Sequence, residues 1–167
     1  MVVLLVPTTV FAQGSFSDVR AKYGRWTQLD ASFNDYVKHG QCIQHSPQGG
    51  MGYHAWKTSL IDGTIDPANP EGLLIDQAGN VLGVVYVSTA GSAPSSVFGM
   101  QGERFSQATG TAATRIGLAS GTYWTMHVWF VSNPSGTFAP WNPNVSCPAG
   151  PNTVTVTDVD TGDLQLP

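Results

Sequence analysis

Charge is the property this chain has least of. Asp, Glu, Lys and Arg make up 11% of its 167 residues, less than half the usual share. Its seven Lys and Arg are scattered along the chain against eleven Asp and Glu, for a net charge of −4. No basic patch exists to neutralise phosphates, so nucleic acid and anionic membrane are excluded as expected partners. A run of about 20 apolar residues, the length a spanning helix needs, is also missing; the apolar opening MVVLLVPTTVFA is broken by Pro7, Thr8 and Thr9. There is no GxSxG, no HxH or HExxH spacing and no phosphate-cradling glycine motif. Serine hydrolases, common zinc hydrolases and nucleotide enzymes therefore have no local signature here.

Cysteine is nearly absent too, with Cys42 and Cys147 as the two present. Residues 1 to 12 have the length and apolarity of a signal h-region and end on a small residue, Ala12, although a basic n-region is lacking. The reading is the remnant of a secretory signal over 1–12, with a buried N-terminal strand as the alternative, followed by one globular domain over 13–167. Export places the two cysteines in an oxidising compartment, which favours a Cys42–Cys147 bridge. A surface with so few charges is made polar by Ser, Thr, Asn, Gln and Gly, as in many exported proteins.

Strand patterns dominate what remains. Tyr123, Thr125, His127, Trp129 and Val131 alternate with Trp124, Met126, Val128 and Phe130, a period of two. Residues 51–57 read as a short strand, residues 72–89 as a hairpin turning at Gln77–Asn80, and residues 153–159 as a last strand. In the hairpin, Val81, Val85 and Val87 face one way and Leu82, Val84 and Tyr86 the other. Residues 90–121 read as loops with short strands. One long helix is expected from Ser17 to about Lys38, because Val19, Tyr23, Trp26, Leu29, Phe33, Tyr36 and Val37 recur mostly at spacings of three and four. Ser17 would cap it, and Lys38, His39 and Gly40 would end it. The expected fold is mainly β, an antiparallel sandwich or small barrel with that N-terminal helix packed on it.

Chemistry concentrates on two strand-borne histidines. His54 and His127 each have an aromatic residue two positions on, Trp56 and Trp129, so aligned neighbouring strands would form one box. Tyr53, Trp56, Trp129 and Trp141 complete the expected ligand pocket, with Val85 as an apolar wall. The two imidazoles are also the candidate ligands of a divalent metal, which would need a third ligand from Asp62, Asp66 or Glu71. Three functions fit these residues. The first is a secreted protein binding a small aromatic or sugar-derived molecule in the His54/His127 pocket, a reading that extends to an enzyme. The second is a non-catalytic module stacking exposed tryptophans on polysaccharide. The third is an exported structural protein with no ligand.

The segments GGMGYH at 49–54, DPANPEGLL at 66–74, HVWF at 127–130 and NPSGTFAPWNPNVSC at 133–147 together resemble a family of small, mostly uncharacterised exported bacterial proteins. The resemblance covers about residues 16 to 147. It implies export and a shared pocket around His54 and His127, and it brings no established activity. Members tend to carry Tyr where this chain has Ile75 and Glu where it has Val85. The resemblance would imply a His/Glu/His metal or acid–base site, from which Val85 removes the carboxylate.

Overall fold

The computed structural model describes residues 14–27 and 30–157. The apolar segment 1–12 and the Asp-rich tail beyond Thr157 lie outside them, and with them the expected signal remnant. The described residues form one mixed sheet of seven strands rather than two packed antiparallel sheets. Its strands are β1 (Val37–His45), β2 (Gly49–Trp56), β3 (Gly72–Ile75), β4 (Val81–Ser88), β5 (Ser106–Thr109), β6 (Thr122–Trp129) and β7 (Thr153–Val156). Their order is β5-β6-β4-β3-β2-β1-β7. Every pairing is antiparallel except β7 on β1, where Cys42 to His45 run parallel to Thr153 to Val156.

The sheet is strongly curled. His54 on β2 and His127 on β6 have β3 and β4 between them, yet their Nε2 atoms lie 3.5 Å apart. In a flat sheet, strands three steps apart are separated by about 14 Å, so these strands must face each other across a concave side. Bulges supply the bending: the β1/β2 register shifts between Lys38 and Cys42 and between Ile43 and Gln44, and the β3/β4 register shifts after Leu74. Gly72 supplies room, because a Cβ there would lie 2.5 Å from the Trp56 ring.

Each face of this sheet carries its own core. The concave layer packs Met51, Trp56, Leu74, Val85, Val87 and Trp129 with Ile43 and Trp141. The convex layer holds Tyr53, Leu73, Ile75, Val84, Tyr86, Met126 and Val128. Strand β6 follows the alternation read from the sequence. In β4 the bulge reverses one pair: Val81 joins the convex layer and Leu82 the concave one, because pairing jumps from Leu74↔Gly83 to Ile75↔Val81.

The long helix does not form. Helix α1 spans Phe16–Tyr23, 8 residues, and is capped by Ser15 rather than Ser17, in a reciprocal capping box with Asp18. It stops at Gly24, whose N–H closes onto the Arg20 carbonyl. The following segment is poor in helix formers: Gly24, Thr27, Asp30, Ser32, Asn34 and Asp35. A 3₁₀ turn over Ala31–Asp35 replaces the rest, and Lys38, His39 and Gly40 belong to β1. Part of the stripe still docks, since Val19, Tyr23, Phe33 and Tyr36 are buried in the convex layer, whereas Val37 is exposed. A second short helix, α2 (Gly110–Arg115), stands where the sequence reads as loops and strands.

Cys42 and Cys147 form a disulfide, with Cα atoms 5.7 Å apart and a sequence separation of 105. It pins the end of the 133–147 loop to β1, where the Cys147 N–H also donates to Gln44 Oε1. Replacing both cysteines by alanine is expected to lower the unfolding free energy by about 4 kcal/mol. An unmoved urea midpoint would show that other contacts hold the loop. Gly72→Ala drives a methyl into the Trp56 ring and is expected to cost about 1–3 kcal/mol. Tryptophan fluorescence during unfolding would check both the loss and any displacement of Trp56.

Candidate functional site

The concave side is built around the imidazole pair. His127 Nδ1 lies 2.8 Å from the Pro140 carbonyl oxygen, which can only accept, so this nitrogen carries the hydrogen. A neutral His127 then presents a bare Nε2, and His54 must donate its Nε2–H across the 3.5 Å contact. That leaves His54 Nδ1 as a bare acceptor, buried and without a partner. Burial pushes both imidazoles toward the neutral form. It lowers His127 to about 4, against the bond to Pro140, and holds His54 well below its ordinary value, with His127 and His39 acting in the same direction.

Two tryptophans fix these rings. His54 stacks on Trp56 at 5.4 Å and 18°, and His127 meets Trp129 edge-on at 6.1 Å and 83°. Trp56 Nε1–H donates to the Ile116 carbonyl at 2.6 Å, and Trp129 Nε1–H donates to the Ala139 carbonyl at 2.7 Å. The concave layer thus holds the end of α2 on one side and the 138–142 loop on the other.

Two small cavities open beside His127. The larger, about 20 Å³, is walled by Ile43, Met51, Ile116, Trp141 and neighbours, with Thr125, His127 and Arg115 as its polar groups. The smaller, about 10 Å³, lies among Arg104, Ser106, Phe138 and Pro140. Both share Met51, Thr125 and His127. The larger has room for about one water molecule.

Of the residues expected at the site, His54, His127, Trp56 and Trp129 meet on the concave side, and Trp141 walls the larger cavity. The two histidine strands are not neighbours, as the box argument required; curvature brings them together. Val85 is fully buried in the same layer, paired with His127 on β6 and Gly72 on β3. Tyr53 is on the other face: it packs in the convex layer, with the Lys38 ammonium 4.1 Å over its ring. The expected third metal ligands go elsewhere. Asp62 and Asp66 accept hydrogen bonds within their own loop, and Glu71 accepts the Val87 N–H just before β3 begins, beside β4. Among the described residues no group of three or more His, Cys, Asp or Glu is placed to hold a metal. His39 stands on β1, packed near Gly117, not at a helix end.

The sequence reading missed Met51, Thr125, Arg104 and Arg115 as lining groups. Thr125 was legible as the position two before His127 on the same face. Arg115 was not, because the Gly/Ala/Thr-rich segment around it hides α2. No protein-family model, curated protein or solved structure matches this chain.

Buried ionisable groups make stability depend on pH in two directions. Between about 6.5 and about 4 the unfolded chain holds a proton that His127 refuses. Its contribution is lost as pH falls through that window, roughly 3 kcal/mol, and His54 adds in the same sense. Glu71 behaves oppositely: burial, opposed by the Val87 N–H and assisted by Asp62 and Asp66, raises it to about 8. Its stabilisation is full below the unfolded value of 4.5 and is lost as pH rises to about 8, roughly 5 kcal/mol. Between 4.5 and 6.5 the two histidines outweigh the one carboxyl. Unfolding free energy is therefore expected to peak near pH 6.5, and Glu71→Gln to remove the alkaline decline. Urea titrations from pH 4 to 9 check this, and an alkaline limb unchanged by the substitution would refute it.

Proposed function

We propose that this chain is an exported small-molecule-binding protein whose site is the concave side of the sheet beside His127. The observation that carries this reading is that His127 lies in the wall of both cavities while His54 braces it from behind. Met51 must turn aside to admit a ligand, since the larger cavity as it stands has room for about one water molecule; the ligand's apolar body would then lie against Ile43, Ile116 and Trp141, and Thr125 would supply a hydroxyl at the wall. The disulfide supports export, and no described helix is long and apolar enough to cross a membrane.

Binding is favoured over catalysis by the way the imidazole nitrogens are used. Both nitrogens of His127 are engaged, by Pro140 and by His54, so no free base faces the cavities. The polysaccharide reading loses its row of stacking rings: Trp56, Trp129 and Trp141 are 3%, 2% and 5% exposed, and Trp124 is half-buried against the convex layer.

Methyl NMR during titration with phenol, benzamide, butyramide and glucose tests the site. The apolar compounds are expected to shift the Met51, Ile43 and Ile116 methyls saturably, and Ala112→Leu, which fills the larger cavity, is expected to weaken them about tenfold. Glucose is expected to leave these methyls unmoved. If none of the compounds moves them, the binding reading fails.

A further inference from the structure

We infer that the groove between α1 and the adjoining ends of β4 and β6 is a docking surface for an acidic peptide, a segment of another protein in which Asp or Glu alternates with apolar residues. It lies on the convex side, away from His127, and stands independently of the site above. The cations of this chain are few enough to follow one by one. Lys22 donates to the Ala68 carbonyl and to Asn69, Lys38 lies over the Tyr53 ring, Lys57 pairs with Asp35, and Arg115 is engaged within the molecule. Arg20, Arg25 and Arg104 are exposed and have no side-chain partner among the described residues. Two of those three, Arg20 and Arg25, line this one groove. No Asp or Glu among the described residues lines it, and Asp18, the acid of α1, is held in the capping box with Ser15. In a chain of net charge −4, two uncompensated guanidinium groups in one groove call for an occupant that brings carboxylates.

The rest of the groove says what those carboxylates are attached to. Phe16, Val81, Phe130 and Val131 line it, and Val131 is one of the few large hydrophobic residues left exposed among those described. An occupant therefore covers apolar surface as well as charge. The space is about 530 Å³, the size of a ligand site. Yet Ser17, Arg20, Ala21, Gly24 and Arg25, which form its helical wall, are all exposed, so a small molecule there would keep much of its surface in water. A peptide crosses such a groove with several side chains at once, setting its carboxylates against the arginines and its apolar residues against Phe130 and Val131. Two guanidinium groups are too few to hold a phosphate-rich surface.

Methyl NMR of the protein titrated with the end-capped hexapeptides LDLDLD, LNLNLN and GDGDGD tests the inference. LDLDLD is expected to shift the Val81 and Val131 methyls saturably and to bind about fivefold tighter than LNLNLN at low salt, the scale of two exposed ion pairs, with the advantage shrinking as salt rises. GDGDGD is expected to leave those methyls unmoved. The double variant Arg20→Gln/Arg25→Gln is expected to bind LDLDLD and LNLNLN equally, the LNLNLN shifts reporting that it is folded, while Arg104→Gln is expected to keep the preference. Equal binding of LDLDLD and LNLNLN to the unaltered protein, a preference that survives the double variant, GDGDGD binding as tightly as LDLDLD, or unmoved Val81 and Val131 methyls with every peptide would overturn the inference. Phosphatidylglycerol vesicles that broaden the same methyls where phosphatidylcholine vesicles do not would also overturn it, and would assign the groove to a membrane surface.

Discussion

The contact between His54 and His127 is the constraint on which the concave side depends. Two imidazoles from strands β2 and β6 can meet only if β3 and β4 curve behind them, and the curve must be wide enough for Trp56 and Trp129 to lie beside the pair. Gly72 gives that width at the point of greatest crowding. The indole N–H groups of the same tryptophans then reach past the imidazoles to Ile116 and Ala139, and His127 reaches Pro140. One layer of side chains therefore sets the sheet's curvature and suspends the two segments that cover its open side. The disulfide adds a second tether to the loop following Ala139, from Cys147 to β1.

The interior avoids charge by a different device on each side of the sheet. On the concave side, two basic groups are buried as neutral rings that share a hydrogen bond. Beside β4, Glu71 is buried just before β3 begins, and its Oε2 takes the Val87 N–H that an earlier start of the strand would otherwise have paired. Two tyrosines hold the adjacent loop: Tyr36 donates to the Pro70 carbonyl and Tyr86 to the Pro67 carbonyl. Burial raises both phenols well above their ordinary value, so they remain donors. A chain with few charges on its surface also folds with neutral groups inside, and its tolerance of pH is set by how far each can be kept neutral.

How much of this was legible follows from what each element depends on. Strand β6 and the hairpin of β3 and β4 depend on local alternation, and residues 122–129 and 72–88 carry it clearly. The cystine depended on count and compartment. The helix failed because apolar spacing over 17–37 says which residues are buried but not what backbone buries them. Gly24 and the Asp, Ser and Asn that follow decide the backbone, and they break it. Tyr53 was placed at the pocket for its closeness in sequence to His54, yet the same period of two sends adjacent residues to opposite faces. The meeting of His54 and His127 was expected for a different reason from the one that holds: curvature is a property of bulges and of Gly72, and the histidine strands carry no sign of it. Arg115 lay in a segment with no readable period, so its place beside the cavity needed the fold.

The arrangement of lone pairs separates what this site can do from what two histidines in a pocket suggest. His54 Nδ1 is the one acceptor of the pair left unfilled, and His54 lines neither cavity. A molecule beside His127 meets a ring whose nitrogens point to Pro140 and to His54. For His127 to take a proton from such a molecule, its Nε2 must first give up the His54 N–H. That would leave the buried His54 Nε2–H unpaired, beside an Nδ1 that already lacks a partner, at a cost of about 1–3 kcal/mol. The resulting imidazolium would then sit where burial has already driven the ring's affinity for protons down to about 4. Both costs oppose proton transfer and neither opposes binding. The pair therefore forms a rigid, neutral wall rather than a free base, and what the two cavities present beside it is the Thr125 side chain and the apolar surfaces of Ile43, Met51, Ile116 and Trp141.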